Sequence, residues 1–240
     1  MNSLTLKIIA LAAMIIDHMG AAFPETFGPE FRVVGRLAFP IYVFLIAEGF
    51  FHTKNSAKFL LRLFLFAIIS EPFFDMALKG VGLEDVNFFA GTNIFYTLFL
   101  GGVAIVAYQK LWDKINVLAF APLFLCMWLA HIFTSDYGAY GVLFIFAMYW
   151  LRGVHSKAMM ITAFILLCLW PYVSFVRATH EFGFAVVPIQ YWLMVPVTLL
   201  AAVPVWLYNG KRGHGGAFVK WFFYTAYPLH LAVLVGVRVW

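Results

Sequence analysis

Residues 1–23, MNSLTLKIIALAAMIIDHMGAAF, form an apolar segment with charged and titratable side chains in its interior. Lys7 and His18 are eleven positions apart, which on an α-helix is three turns plus about 20°, so both side chains lie on one face with a rise of about 16 Å between them. Such groups cost free energy inside a bilayer and are therefore candidates for function. The segment predicts a membrane helix with a cation near one surface and an imidazole about halfway across.

The composition of the whole chain is typical of a membrane protein. Of its 240 residues, 64% are hydrophobic and only 11% are charged, with a mean hydropathy of +0.92, whereas soluble domains contain about 25% charged residues. Residues 115–135, 158–176 and 182–210 contain no Asp, Glu, Lys or Arg, and a helix that crosses the hydrocarbon core needs about 20 apolar residues. Because a backbone inside lipid must satisfy its own hydrogen bonds, the predicted fold is all-α, a polytopic integral membrane helical bundle.

The apolar segments predict about nine transmembrane helices, within a range of eight to ten. The predicted spans are 4–23, 33–52, 57–78, 90–109, 115–134, 137–151, 157–175, 187–208 and 217–238. No internal repeat and no long linker interrupts the sequence, so residues 1–240 are predicted to form a single domain.

The charged residues between the spans predict the orientation in the membrane. Loops after even-numbered spans carry the cations Lys54, Lys58, Lys110, Lys114, Arg152, Lys157, Lys211, Arg212 and Lys220. Loops after odd-numbered spans carry mostly acids, namely Glu25, Glu30, Glu84, Asp85, Asp136 and Glu181. The positive-inside rule makes the first set and the N-terminus cytoplasmic. The formal charge of +5 then reflects topology, and no nucleic-acid partner is expected.

Polar residues within the first span have functional and structural interpretations. His18 could act as a general base, because an imidazole accepts a proton near neutral pH, or it could make a structural hydrogen bond to another helix. Asp17 does not share its face and is expected to orient a neighbouring helix or to pair with a cation.

The second and third spans add further polar candidates. Glu48 needs a partner such as Arg62 or a water-filled cavity. Lys58 and Arg62 lie one turn apart at the cytoplasmic entrance and suit phosphates, although such residues are also ordinary topology determinants. Arg36 either reaches the outer headgroups or serves the interior.

Two carboxylates and three later residues complete the candidate set. Glu71 and Asp75 are four residues apart on one face, so either one is protonated or both face cations such as Arg36. Asn93 forms an i, i+4 polar pair with Thr97 in the fourth span. Tyr227 and His230 flank Pro228 in the last span, where the proline should kink the helix. These two residues, with Glu48, Glu71 and Asp75, are predicted to be polar core residues.

No metal site is predicted. The two cysteines, Cys126 and Cys168, lie in apolar runs and are interpreted as small core residues. The histidines lack a metal-binding spacing such as His-x3-His.

Six segments, in matching order along almost the whole chain, resemble the TraX family. They are IIDHMG (15–20), GRLAFPIYVFLIAEGF (35–50), LLRLFLFAIISEPFFD (60–75), TNIFYTLFLG (92–101), DYGAYGVL (136–143) and FFYTAYPLHL (222–231). TraX proteins are associated with N-terminal acetylation of F-type conjugative pilin, and they are similar to a wider group of transmembrane acyltransferases. That group has a Lys/Arg-x10-His pattern in its first helix, which Lys7 and His18 match. Its Arg-x-x-Arg element on the third span is absent, and only Lys58-x-x-x-Arg62 stands nearby.

The resemblance implies an acyl-CoA-dependent acetyltransferase in the bacterial cytoplasmic (inner) membrane. Acetyl-CoA is the expected acyl donor, with its phosphates near the basic residues Lys7, Lys54, Lys58 and Arg62. The expected catalytic residues are His18 as general base, Asp17 as its support, and Arg36 or Asn93 as donor to the oxyanion. The acceptor is expected to be a pilin-like protein, modified at its N-terminal amine, or a glycan; membrane lipids surround the protein.

Two other classes of function remain open from the sequence. A proton-coupled transporter or flippase also uses charged residues and kinked helices inside the membrane. A non-catalytic assembly factor for conjugation or secretion would tolerate loss of the polar residues one at a time. Neither class requires a site for CoA.

Overall fold

The computed structural model of the chain describes residues 1–153, 156–182, 189–213 and 216–239, and their regular secondary structure is entirely helical. For residues 174–182, 189–191 and 239 only the backbone is described. The first two residues of the predicted span 187–208 lie outside the described residues. Within these ranges the predicted all-α fold is confirmed.

Eleven α-helices lie in the described residues. Their bounds are α1 Ser3–Ala22, α2 Pro24–Gly35, α3 Ala38–His52, α4 Ser56–Phe74, α5 Ile94–Ile115, α6 Ala121–Ile132, α7 Gly138–Arg152, α8 Lys157–Phe182, α9 Ile189–Leu200, α10 Ala202–Trp206 and α11 Ala217–Val239. A π-helical turn, Asp75–Lys79, follows α4, and two short 3₁₀ helices cover Leu83–Asp85 and Asn116–Phe120.

The chain divides into two compact units. The first contains Met1–Tyr42 and residues 155–216, and thus α1, α2, the start of α3, and α8 to α10. The second contains Val43–Val154 and residues 217–240, and thus the rest of α3, α4 to α7, and α11.

The first unit is organised around α1, whose N-terminal amides all find acceptors. The side chain of Asn2 accepts from the amide of Thr5 at 2.9 Å. The amides of Ser3 and Leu4 donate to the carbonyls of Lys211 (2.9 Å) and Arg212 (3.2 Å) in the connection before α11. A helix start needs such acceptors for its first amides, so this connection fixes where α1 begins.

Helix α2 differs from the prediction, which left residues 24–32 in a loop. Pro24 occupies its first turn, and the backbone departs from helical geometry at Gly28, where φ is 68°. Helices α2 and α3 meet at an angle of 42°, so the predicted span 33–52 is the second part of a bent pair. Pro40 lies in the first turn of α3, where proline is tolerated, and therefore does not account for the bend.

Helices α1 and α2 pack closely because glycines lie at their contact. A Cβ atom on Gly20 would lie 2.7 Å from the Cβ of Phe31, and one on Gly35 would overlap the carboxylate of Asp17. Small residues allow such close approach of helix backbones.

In the second unit α5 is central and packs against α4, α6 and α7, while α11 packs against α4 and the π-helical turn. A Cβ on Gly101 would lie 2.8 Å from Ile145, so this glycine allows α5 and α7 to approach each other. Pro72 lies within the last turn of α4. Its ring disturbs the normal hydrogen-bond ladder, and the helix continues as the π-helical turn.

Among the described residues, three helical stretches are long and apolar enough to cross a membrane, Ser3–Ala22, Ile94–Ile132 and Ala217–Arg238, and the bent pair α2 and α3 is a fourth if it counts as one span. The protein is therefore a helical membrane protein. Within Ile94–Ile132 the backbone breaks at Asn116, where φ is 47°, and α5 and α6 pack against each other.

Replacing Gly35 with alanine should destabilise the first unit. The added methyl group would overlap the Asp17 carboxylate, and overpacking of this kind costs about 1–3 kcal/mol. We expect a lower unfolding midpoint for the detergent-solubilised variant.

Gly236→Ala is the matched control, because a Cβ there meets nothing within 4 Å. In α11 it should leave the midpoint unchanged or raise it, since glycine within a helix costs about 0.5–1 kcal/mol relative to alanine. Equal midpoints for the two variants would contradict the close contact at Gly35.

Candidate functional site

An ion cluster holds Asp17 of α1 against the end of α2. The Nη2 atom of Arg36 lies 2.8 Å from one carboxylate oxygen of Asp17, and Arg32 pairs with the other oxygen. The Nε atom of Arg36 also donates to the carbonyl of Arg32 at 3.1 Å. The expectation that Asp17 pairs with a cation is thus met by two arginines, because Gly35 allows the helices to approach.

His18 lies on the buried face of α1. Leu6, Ala10, Met14 and His18 are all buried and follow one another at intervals of four residues. His18 itself is 7% exposed. The imidazole is therefore held in the interior of the first unit, next in sequence to the carboxylate that the two arginines bind.

Lys7 lies on the same unbroken helix, toward its N-terminal end. Arg212 is near enough to Lys7 for their like charges to repel, because the 207–213 connection is hydrogen-bonded to the start of α1. Two cations are therefore gathered at this end of the first unit.

The other predicted phosphate-binding residues lie in the second unit. Lys54 and Lys58 are exposed at the start of α4. Arg62 is half-buried, and its Nε atom donates to the hydroxyl of Tyr224 at 3.3 Å. Its guanidinium also lies 5.7 Å from the ring of Phe59. Arg62 thus ties α4 to α11 as well as adding positive charge beside the two lysines.

Glu48 has a different partner from the one expected. It is 5% exposed and pairs with Arg152 at the end of α7, and its second oxygen lies 3.3 Å from His52. The predicted partner Arg62 is incorrect, because that side chain is directed to Tyr224. The Glu48 and Arg152 pair ties α3 to α7 within the second unit.

A second buried polar cluster surrounds Glu71. Its Oε2 atom accepts hydrogen bonds from the backbone amide of Asn93 at 3.0 Å and from the Asn93 side chain at 2.6 Å. Asp75 lies 2.5 Å from Lys79. The suggested contact of these carboxylates with Arg36 is therefore wrong for Asp75, and Arg36 binds Asp17 in the first unit.

Asn93 has a structural place in this cluster. It is the N-cap of α5, and its side-chain oxygen accepts from the amide of Phe95. Its Nδ2 atom donates both to Glu71 and, at 2.8 Å, to the carbonyl of Ala67. Since an amide has two hydrogens to donate, this geometry does not favour the oxyanion role. The hydroxyl of Thr97, the expected partner of Asn93, lies instead within hydrogen-bond distance of the Ser135 hydroxyl and the Asp136 carbonyl.

Tyr227 and His230 both lie on α11. Tyr227 is buried and makes an edge contact with Phe95 at 5.1 Å between ring centroids. The Nδ1 atom of His230 lies 2.9 Å from the carbonyl of Ala226. The half-buried His230 thus contacts the backbone of its own helix.

The predicted site residues accordingly fall into two sets. Lys7, Asp17, His18 and Arg36 belong to the first unit, and the others belong to the second. In the part of the chain that the structure describes, no group of three His, Cys, Asp or Glu side chains is placed to hold a metal ion.

The sequence analysis did not assign four cations to the charged or polar residues that they neighbour: Arg32, Lys79, Arg152 and Arg212. A usable signal existed for two of them. Arg32 precedes Arg36 by four residues and Lys79 follows Asp75 by four, and residues at this spacing are neighbours on a helix. Arg152 and Arg212 are distant in sequence from their neighbours Glu48 and Lys7, so no local pattern indicates them.

The two sets differ in what they can do chemically. The first offers a buried imidazole beside a fixed ion cluster, which suits proton transfer near bound charge. The second offers a buried carboxylate with a neutral hydrogen-bond partner, which suits binding of a cation or a proton.

Comparisons with known proteins place the chain in a family. A family model described as TraX protein matches residues 3–238. The chain is 31% identical over 249 aligned residues to the probable fimbrial assembly protein FimC, serogroup H1, of Dichelobacter nodosus, an alignment that covers 99% of this chain and 96% of that protein. It is also 28% identical over 97 residues to an uncharacterized protein of Rickettsia prowazekii (strain Madrid E), covering 40% of this chain and 33% of that protein.

No solved structure matches the chain. The family match nevertheless extends over almost its whole length, through both units. With this match and the similarity to the Dichelobacter protein, the chain belongs to the TraX family.

Proposed function

We propose that this protein is a membrane-embedded acetyltransferase that acts in the biogenesis of pili or fimbriae. It transfers the acetyl group of cytoplasmic acetyl-CoA to an acceptor at the membrane, in the first place the N-terminal amine of a pilin-like protein. The observation on which the proposal rests is the burial of His18 on α1. The TraX family and the name of the Dichelobacter relative support the pilus or fimbrial context.

In the proposed reaction His18 is the general base. The acceptor amine attacks the carbonyl carbon of the thioester while a ring nitrogen of His18 takes its proton. The C–S bond then breaks, and the same proton passes to the departing thiolate, so that the products are an N-acetyl group and free CoA. A positioned base of this kind accelerates such steps by about 10²- to 10⁴-fold.

Arg36 is proposed to stabilise the oxyanion of the tetrahedral intermediate. Asp17 holds the guanidinium of Arg36 at 2.8 Å, and a donor fixed before reaction stabilises developing charge without reorganising. Asp17 is then a positioning residue. Asn93, which donates to Glu71 and Ala67, is assigned to the structure of the second unit.

The donor is proposed to bind at the cytoplasmic surface, with its phosphates held by cations. Lys54 and Lys58 are exposed at the start of α4, and Arg62 adds charge one turn further along. Lys7, with Arg212 beside it, provides positive charge in the first unit. Ammonium and guanidinium groups are the usual partners of phosphate in proteins.

Nine crossings in the bacterial inner membrane, with a cytoplasmic N-terminus, remain our proposed topology. It treats α2 with α3 as one bent crossing and α9 with α10 as another. Helices α5 and α6 count separately, because the backbone breaks at Asn116 and the two helices pack together. The cationic loops after even-numbered crossings support this orientation.

Replacing His18 with alanine should abolish acetyl transfer. We expect the turnover of purified protein to fall by about 10²- to 10⁴-fold, the range for loss of a general base. The measurement is release of free CoA thiol together with acetylation of an acceptor peptide, detected by mass spectrometry.

The control is His131→Ala, which removes an exposed histidine at the end of α6. It should retain wild-type turnover, and both variants should keep the wild-type elution profile in detergent. Undiminished turnover in His18→Ala would exclude His18 as the base.

Acetyl-CoA should stabilise the detergent-solubilised protein against heat. A ligand that binds only the native state contributes about 2.7 kcal/mol at one hundred times its Kd. We expect the shift in midpoint to fall by at least about half when Lys54 and Lys58 are both replaced by alanine, because phosphate contacts are lost.

The double variant Lys110→Ala and Lys114→Ala is the matched control, since it removes the same charge from the exposed end of α5 and should keep the full shift. A wild-type protein that saturating acetyl-CoA fails to stabilise would favour a transporter or an assembly factor. Equal losses in the two double variants would contradict a phosphate site at α4.

A further inference from the structure

Helices α8 and α9 bring two hydroxyl groups into the first unit from segments without charged residues. Residues 158–176 and 182–210 contain no Asp, Glu, Lys or Arg, and Tyr172 and Thr198 lie within them. Thr198 is 7% exposed, and Tyr172 is half-buried. Because a hydroxyl removed from water loses free energy unless it is hydrogen-bonded, the partners of these two groups indicate their roles.

The Tyr172 hydroxyl is oriented by α9. It lies 2.7 Å from the Oγ1 atom of Thr198 and 3.3 Å from the carbonyl of Met194. The Thr198 hydroxyl donates to the same carbonyl at 2.7 Å. The arrangement with the shortest distances is therefore a chain in which Tyr172 donates to Thr198 and Thr198 donates to Met194.

This chain uses the only proton of the phenol. A hydroxyl has one hydrogen to donate and two lone pairs with which to accept. The other arrangement, in which Tyr172 donates to Met194 and accepts from Thr198, uses the same hydrogen. In both arrangements the phenol oxygen can only accept a further hydrogen bond, so Tyr172 offers a lone pair to a donor outside α9.

Arg36 is the donor near that oxygen. Its guanidinium lies close enough for the positive charge to act on the phenol. Arg36 is the C-cap of α2, and both α2 and α8 pack against α9. On the side of α1 and α2 the guanidinium is held by the Asp17 carboxylate at 2.8 Å and by the Arg32 carbonyl at 3.1 Å. Since a guanidinium has five N–H donors, several partners can hold it at once.

We propose that Tyr172 is a positioning residue that holds Arg36 from the side of α8. The inference rests on the proposed acetyltransferase function, in which Arg36 stabilises the oxyanion, and it adds α8 to the helices that form this site. Asp17 and Tyr172 hold the guanidinium from two sides. Because a donor fixed before reaction stabilises developing charge without reorganising, loss of either holder slows the chemical step more than it weakens binding.

A phenol suits this position because it is neutral. A second carboxylate would offset the charge of Arg36 and weaken its attraction for an oxyanion. A phenol oxygen orients an N–H group and leaves the guanidinium cationic. Phenylalanine keeps the ring and removes only this oxygen, so Tyr172→Phe isolates the contact.

The first test is acetyl transfer by detergent-solubilised Tyr172→Phe. We expect kcat to fall by about tenfold, less than the loss of about 10²- to 10³-fold that removal of an oxyanion donor itself causes. The KM values for acetyl-CoA and for the acceptor peptide should change little. Tyr149→Phe is the matched control, because the Tyr149 hydroxyl accepts from Gln109 at 2.6 Å in the second unit, and it should keep the wild-type kcat.

A double-variant cycle separates positioning from a purely structural role. In the Arg36→Lys background, Tyr172→Phe should lower kcat by less than about twofold, because the guanidinium geometry that the phenol maintains is already lost. The shifts in unfolding midpoint of the two single variants should also fail to add in the double variant, a measurement that needs no activity. A phenol that served only the packing of α8 on α9 would give additive shifts and an unchanged kcat.

Thr198 provides a test that leaves Tyr172 and Arg36 in place. Thr198→Val keeps the shape of the side chain but removes the hydroxyl that orients the phenol, so kcat should fall. Thr198→Ser keeps the hydroxyl and should restore most of this loss. Wild-type kcat in Thr198→Val would count against the proposed orientation of the phenol.

The outcomes distinguish this inference from the proposed function. Wild-type kcat in Tyr172→Phe, or additive midpoint shifts in the cycle, would overturn the role of Tyr172 and leave the acetyltransferase standing. Non-additive midpoint shifts in a protein that transfers no acetyl group would support the contact with Arg36 and contradict the acetyltransferase.

Discussion

The ion cluster of Asp17 with Arg32 and Arg36 is the constraint from which the first unit is built. A carboxylate on a membrane helix is too costly to leave unpaired, and here its two partners come from the next helix along the chain. Their approach requires a residue without a side chain at position 35. This partly buried charge therefore accounts for the glycine at the contact and for the close packing of α2 on α1. The same packing fixes the orientation of the helix that carries His18.

In the second unit, acids inside the protein are again paired with cations. Glu48 is bound by Arg152 from a distant helix, and Asp75 by Lys79 one turn away. Both pairs lie at the ends of helices, where a long cationic side chain can bind the acid and still reach a more polar region. Glu71 departs from the rule, because its partner Asn93 is neutral. A departure from a rule that the other buried acids obey is the kind of place where function is expected.

The sequence predicts the helices of this protein better than it predicts the contacts between them. The apolar run 4–23 places α1 to within one residue of its observed bounds, Ser3–Ala22, because such a run is a local property of the chain. The sequence does not predict a helix over residues 24–32, since acidic residues and prolines are typical of a loop, yet the rings of Phe23, Phe27 and Phe31 contact one another in series along α2. Arg152 could not be assigned to Glu48 from sequence, because 104 positions separate them and only the packing of α3 on α7 brings them together. Charge pairing within one helix turn is predictable, and pairing between helices depends on the fold.

Because contacts between helices depend on the fold, the site residues of the family are harder to assign to this chain than its helices are. Lys7 and His18 match the Lys/Arg-x10-His pattern of the wider group, and both lie on one continuous helix. The basic residues of α4 do not match the expected Arg-x-x-Arg pattern, and Arg62 is partly engaged with Tyr224. Its charge is still present at the helix end, because a hydrogen bond to a phenol leaves the guanidinium cationic. In the proposed donor site, a phosphate would therefore meet two exposed ammonium groups and one guanidinium oriented by Tyr224. Because ammonium groups act as point charges and a guanidinium binds in a defined geometry, the proposed donor site assigns orientation of the phosphates to Arg62 and electrostatic attraction to the two lysines.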